Sequence, residues 1–158
     1  MKAIATEKRR PHTVWIILLV AAVVLFIFSR SLLNQEASGE ESRHVMELIR
    51  PILGFFVGKE NVTLHLVRKL AHLTEFCALG LTLSWLSLWL GRKSIPWTLL
   101  SAVLIALSDE TIQAFTGRGP SVTDVWIDIS GAALGMLLVY GISALIRRLR
   151  KKQPPETD

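Results

Sequence analysis

V-R-K-L-A-H-L-T-E-F-C-A-L-G, Val67 to Gly80, is the stretch that decides how this chain is read. It opens a long apolar run, yet it carries Arg68, His72 and Glu75 at i, i+4 and i+7, one stripe of an α-helix. Ionisable groups there occupy a segment that should hold only hydrocarbon if it crosses a membrane, so they need polar partners. Two later clusters can supply them. Asp109, Glu110 and Gln113 lie in the third apolar run, and Arg118, Asp124 and Asp128 lie around the start of the fourth.

The composition supports a membrane setting. The 158 residues are 51% hydrophobic and 20% charged, with a net charge of +5. That length fits one domain. The charges crowd into the termini and connections, whereas a soluble domain would interleave them on every surface helix. The basic residues fall into three short groups beside apolar runs. Membrane topology explains that grouping, and no nucleic-acid partner is expected. Cys77 stands alone in an apolar setting, so it makes no internal disulfide and reads as a small packing residue.

Residues 1–12 carry Lys2, Lys8, Arg9 and Arg10, followed by the apolar run Val14 to Phe28 and Ser29-Arg30. A secretory signal opens the same way, but S-R-S-L-L-N-Q lacks a small-x-small cleavage site, so a retained helix is expected. Residues 30–62 form the longest connection, acidic at Glu36, Glu40 and Glu41. From His44 to Val57 apolar residues recur at helical spacing, with Pro51 among them. This predicts one or two short amphipathic turns, lying at the lipid interface, capping the bundle, or packed as an extracytoplasmic loop. Asn61-Val62-Thr63 matches a glycosylation acceptor, a motif too short and common to carry weight.

The second helix is expected from Leu64 to Leu90, ended by Gly91-Arg92-Lys93. The third runs from Pro96 to Phe115, before the turn Gly117-Arg118-Gly119-Pro120. Ser121 or Thr123 caps the fourth, which runs to Ile146 and meets Arg147, Arg148, Arg150, Lys151 and Lys152. Gln153 to Asp158 holds two prolines and is expected to be disordered. Placing all three basic groups inside gives four spans. The expected fold is all-α: a four-helix transmembrane bundle with both termini cytoplasmic and a short amphipathic extracytoplasmic segment. The expected parts are a basic N-terminus, 1–12, a four-span domain, 13–147, and a basic tail, 148–158.

The helical rise places the polar groups in one layer. Glu75 lies about 22 Å above Leu90, Asp109 about 20 Å above Pro96 and Asp128 about 27 Å above Ile146, in a hydrocarbon core about 30 Å thick. Arg68, Arg118 and Asp124 lie about a turn or more higher, near the outer headgroups. Each group has a plainer reading alone. His72 can be a packing histidine, Arg68 and Lys69 can contact lipid phosphate, Asp109-Glu110 can end a helix in solvent, and Gly117-Arg118-Gly119 can be only a turn. A charge network that merely holds helices in register competes with all functional readings. None of the single readings explains why the cytoplasmic half of every span is nearly free of polar residues.

Three motifs carry a family resemblance. The first is R-K-x-x-H-x-x-E-F-x-x-L-G, Arg68 to Gly80. The second is D-E-T-I-Q-A-F-T-G-R, Asp109 to Arg118. The third is S-x-x-D-x-x-x-D/N-x-x-G-x-x-x-G, with Ser121, Asp124, Asp128, Gly131 and Gly135. Over roughly Phe28 to Val139 the chain resembles the VanZ-like family of small bacterial membrane proteins. Asp128 stands where many members have Asn. The resemblance implies a place in the bacterial plasma membrane and cell envelope, and a link to resistance to the glycopeptide antibiotic teicoplanin. It implies no defined reaction.

Three functions compete. In the first, the protein binds or positions a lipid-linked cell-wall precursor or a lipoglycopeptide at the outer leaflet. Arg68 and Arg118 would contact phosphate or carboxylate, and the acids would orient amines or hydroxyls. In the second it is an enzyme acting on a lipid headgroup. His72 and Glu75 would then serve as acid and base, with Asp109 and Glu110 as further catalytic candidates. Alternatively His72, Glu75, Asp109 and Asp128 would hold a divalent cation, magnesium or calcium on the carboxylates or zinc on the histidine. The third is a small ion-coupled transporter, disfavoured by the apolar cytoplasmic half. The binding set common to these readings is Arg68, His72, Glu75, Asp109, Glu110, Gln113, Arg118, Asp124 and Asp128. Cofactor, metal and oligomeric state stay open.

Overall fold

The protein is described from a computed structural model over residues 12–92, 94–119 and 121–152. The basic N-terminus, Lys93, Pro120 and the tail from Gln153 lie outside the described residues. Among the described residues five α-helices form: α1 (His12–Ser31), α2 (Gln35–Val57), α3 (Leu64–Trp89), α4 (Ile95–Phe115) and α5 (Val122–Lys152). Among the described residues there is no strand, and a 3-10 turn, Lys59–Asn61, joins α2 to α3.

Local chemistry sets the ends. The Asn34 side chain accepts from the Ala37 amide at 2.9 Å, Thr63 from Leu66 at 3.2 Å and Ser121 from Asp124 at 3.3 Å. Each satisfies an amide that a helix start leaves free. Gly117, at φ 77°, turns the chain after α4, and the Arg118 amide returns to the Gln113 carbonyl at 3.1 Å. That reversal carries Arg118 back over the helix end.

Two segments differ from expectation. The stretch expected to form short amphipathic turns is one helix of 23 residues, with Pro51 inside it. Pro51 forfeits one backbone hydrogen bond, but its ring lies on the exposed side and several capped turns precede it. α5 continues past Ile146 to Lys152 because arginine and lysine are good helix formers and suit the negative end of the helix dipole.

α1 and α3 run antiparallel. Trp89 Nε1 donates to Thr13 Oγ1 at 3.0 Å at one end, and Arg30 Nε lies 3.8 Å from Glu75 at the other. α4 brings Asp109 to the Arg30–Glu75 end, and α5 runs beside α3 in the same direction, with Asp128 against His72. The α3–α5 contact is backbone on backbone. A Cβ added at Gly80 would overlap the Ala132 carbonyl, one at Gly131 the Leu73 carbonyl, and one at Gly135 the Cys77 carbonyl. Small residues are what allow helices this close.

Polarity runs opposite to that of a soluble bundle. Asp109 and Asp128 are 0% exposed, while Leu25 is 67% and Leu137 and Trp97 are 70% exposed. Large outward-facing apolar surface of this kind belongs against lipid or another protein. Among the described residues three helices are long and apolar enough to cross a membrane: His12–Ser31, Ile95–Phe115 and Val122–Arg150. α3 is long enough at 26 residues, but Arg68, Lys69, His72 and Glu75 dilute its apolar content.

Gly131→Leu should force α3 and α5 apart, lowering stability by about 1–3 kcal/mol or more. A melting curve in detergent checks this. An unchanged Tm would contradict the close packing. Gly141→Leu, where nothing lies within 4 Å, should melt like the native chain.

Candidate functional site

Four helices contribute to one polar centre. His72 projects from α3, Asp128 from α5, Asp109 and Gln113 from α4, and Ser31 from the end of α1. His72 Nδ1 lies 3.1 Å from Asp128 Oδ1 and 3.9 Å from Asp109 Oδ2. Ser31 Oγ donates to Asp109 Oδ1, and Gln113 Nε2 donates to Asp109 Oδ2 at 2.7 Å. Asp109 is therefore held at both oxygens. Asp128 Oδ2 is buried without a partner among the described residues.

The imidazole is a partition. Its Nδ1 edge faces two buried acids, so its Nε2 edge faces the other way. His72 lines a narrow cleft and a larger cavity of about 370 Å³, and neither acid lines either space. The larger cavity lies within the size range of small-molecule sites. Its wall carries Arg68, Lys69, His65 and Arg118, with Asp124, Ser121 and Thr123 opposite in chemistry.

Arg118 is the least expected member. It is only 6% exposed, its Nη1 donates to the Arg30 carbonyl at 3.3 Å, and its Nε is buried with no partner among the described residues. Burial, and next the nearby Arg68 guanidinium, push the Arg118 pKa below the usual arginine range. No acid forms an ion pair with Arg68 or Arg118 among the described residues. Two guanidinium groups thus converge on a cavity, and an anion between them would relieve their repulsion.

The nine residues expected from the sequence divide accordingly. His72, Asp109, Gln113 and Asp128 form the buried centre. Arg68, Arg118 and Asp124 line the cavity. Glu75 is not the partner of His72. Its ion partner is Arg30, which also pairs with Glu41. Glu110 turns away, and its Oε2 accepts from the Ser121 amide at 2.9 Å, pinning the start of α5. Helix rotation turns Asp109 rather than Glu110 to Gln113 and directs Glu110 to the turn before α5.

A cation can be weighed on the same geometry. Ligand atoms of His72, Asp109 and Asp128 lie within 4.8 Å of one another. Glu75, expected as a fourth ligand, is not in that cluster. The same separations suit a proton shared between His72 and Asp128.

Sequence reasoning passed over Ser31, Arg30, Ser38 and Ser42. The last two are buried on the inner face of α2 and line the narrow cleft. The available signal was S-R-S at the close of the first apolar run, read only as an end marker.

A family model described as VanZ/LLP1 matches residues 14–146. No curated protein and no solved structure matches the chain.

Ser31→Ala removes the hydroxyl donor to buried Asp109 and should cost about 1–3 kcal/mol. The drop is measurable as a lower Tm in detergent. Ser108→Ala, whose exposed hydroxyl only returns to the Leu104 carbonyl at 2.8 Å, should change little. Equal effects would contradict the buried contact.

Proposed function

The chain belongs to the VanZ/LLP1 family, and we propose that it is a multi-pass protein of the bacterial plasma membrane that binds an anionic, lipid-borne headgroup at the outer leaflet. The proposed domain spans residues 13–147 and crosses four times, with α1, α3, α4 and α5 as spans and both termini cytoplasmic. The alternating helix directions support this, and so do the basic groups at the N-terminus, at Arg92-Lys93 and after Ile146. α3 serves as the fourth span because its polar groups turn inward, where α1, α4 and α5 meet them.

One observation carries the headgroup reading. Arg118 is buried with a free Nε, beside Arg68, on the wall of a cavity that holds more positive than negative charge. A guanidinium is suited to phosphate or carboxylate, which it binds through paired hydrogen bonds. Lipid-linked cell-wall precursors and acylated glycopeptides both present such groups beside a hydrocarbon chain. The family link to teicoplanin resistance fits either ligand.

Dioleoyl phosphatidic acid and dioleoylglycerol differ only in the phosphate and so test the reading. In nanodiscs the native protein should prefer the phosphatidic acid. Arg118→Glu should weaken that binding by about tenfold or more, the loss of one charge-assisted contact. Equal binding of both lipids by the native protein would sink the proposal. In a teicoplanin-sensitive Gram-positive host, protection by the native chain and none by Arg118→Glu at matched membrane levels would tie the cavity to resistance.

A further inference from the structure

A largely apolar groove of about 390 Å³ lies between α1 and α3, lined by Ala22, Val23, Phe26, Thr74, Glu75 and Ala78. Glu75 also lines the narrow cleft, together with Arg68, His72 and Arg118. Those three residues in turn line the larger cationic cavity. Groove, cleft and cavity therefore share walls in sequence. The cleft between them is only about 20 Å³, so an amphiphile with its chain in the groove would bring its head to the two arginines by displacing the Arg30–Glu75 pair. A free anion would have no use for the groove.

The order of groups around His72 adds a chemical function. Behind the ring, Asp128 Oδ1 lies 3.1 Å from His72 Nδ1, a contact that suits an Nδ1–H donor and would then fix that tautomer. In front, His72 lines the cleft and the cavity together with Arg68 and Arg118. A buried acid, an imidazole and paired cations in this order suit water attack at phosphorus. Arg68, Lys69 and Arg118 provide three positive charges against Asp124 alone, which favours two linked phosphates over one.

We propose that this site hydrolyses a lipid diphosphate, with the chain in the α1–α3 groove, the phosphates on Arg68 and Arg118, and His72 Nε2 as the general base. This rests on the headgroup reading above. In the step, a water oxygen forms a bond to the terminal phosphorus while the bond from that phosphorus to the bridging oxygen breaks. The electron pair leaves with the lipid monophosphate, a stable anion that needs no proton. The proton of the water passes to His72 and then to solvent. The products are the lipid monophosphate and orthophosphate, with no change of oxidation state. Asp128 acts as a positioning residue through the imidazole.

The test uses the full chain in nanodiscs with farnesyl diphosphate as probe. Native protein should release orthophosphate. His72→Gln should lower kcat by about 100-fold or more, the usual size of a general-base contribution, while leaving probe affinity within about threefold. Ala22→Trp, on the exposed side of α1, should fill the groove and raise KM. Inorganic pyrophosphate, which has no chain, should be cleaved far more slowly. Equal cleavage of pyrophosphate would overturn the lipid assignment. Turnover abolished by a chelator and restored by magnesium would overturn His72 as the base and give its Nδ1 to a cation. Arg118-dependent binding without phosphate release would overturn hydrolysis and leave the headgroup reading standing. Absence of binding would remove both.

Discussion

Everything in this fold depends on the backbone contact between α3 and α5. Gly80, Gly131 and Gly135 remove the side chains that would keep the helices apart, and the carbonyls of Ala132, Leu73 and Cys77 occupy the space. Asp128 lies one turn before that contact, so the approach sets it beside His72. Between helices in lipid there is little hydrophobic driving force, because hydrocarbon surrounds them already. Close packing and interhelical hydrogen bonds must then do most of the holding.

The polar centre is costly to bury, and its organisation shows how the cost is met. Asp109 uses Ser31 and Gln113, and His72 uses Asp128. Glu110 satisfies the start of α5, and Arg118 holds the end of α1 through the Arg30 carbonyl. These contacts join α1, α3, α4 and α5 at one level. A network of this kind specifies helix register even if it adds little net stability. Arg118 Nε and Asp128 Oδ2 are left without partners among the described residues. α2 fits the same scheme. It turns Ser38 and Ser42 inward to the cleft while Leu48, Phe55 and Phe56 face outward.

Much of this was legible in the chain because membrane spans segregate charge so strongly. Apolar runs located the helices within a few residues, and the helical rise put Glu75, Asp109 and Asp128 in one layer, where the neighbouring His72 meets both aspartates. Rotation and lateral distance were not legible. Spacing of i and i+3 put His72 and Glu75 on one face, but it could not say that Asp128 of another helix would take the imidazole and Arg30 the glutamate. Asp109 or Glu110 could share a face with Gln113, because adjacent helical positions diverge by about 100°, and the fold gives Asp109 to Gln113 and Glu110 to the Ser121 amide. Ser31 was hidden for a different reason. A serine at a helix end commonly returns its hydroxyl to its own helix, as Ser31 does to the Ile27 carbonyl at 3.2 Å, and the arrival of α4 adds Asp109 as a partner. α2 was hidden by Pro51, which reads as a break in the sequence but sits inside the helix.

The central claim is that the cavity beside His72 opens to the outer surface while the opposite end of α5 faces the cytoplasm. Single-cysteine variants in a Cys77→Ala background measure this in intact cells with a membrane-impermeant maleimide. Thr123→Cys, on the cavity wall, should label from outside, and Ser143→Cys, near the Arg147 end, only after the cells are permeabilised. The reverse pattern, or external labelling of neither site in a well-folded protein, would contradict the account.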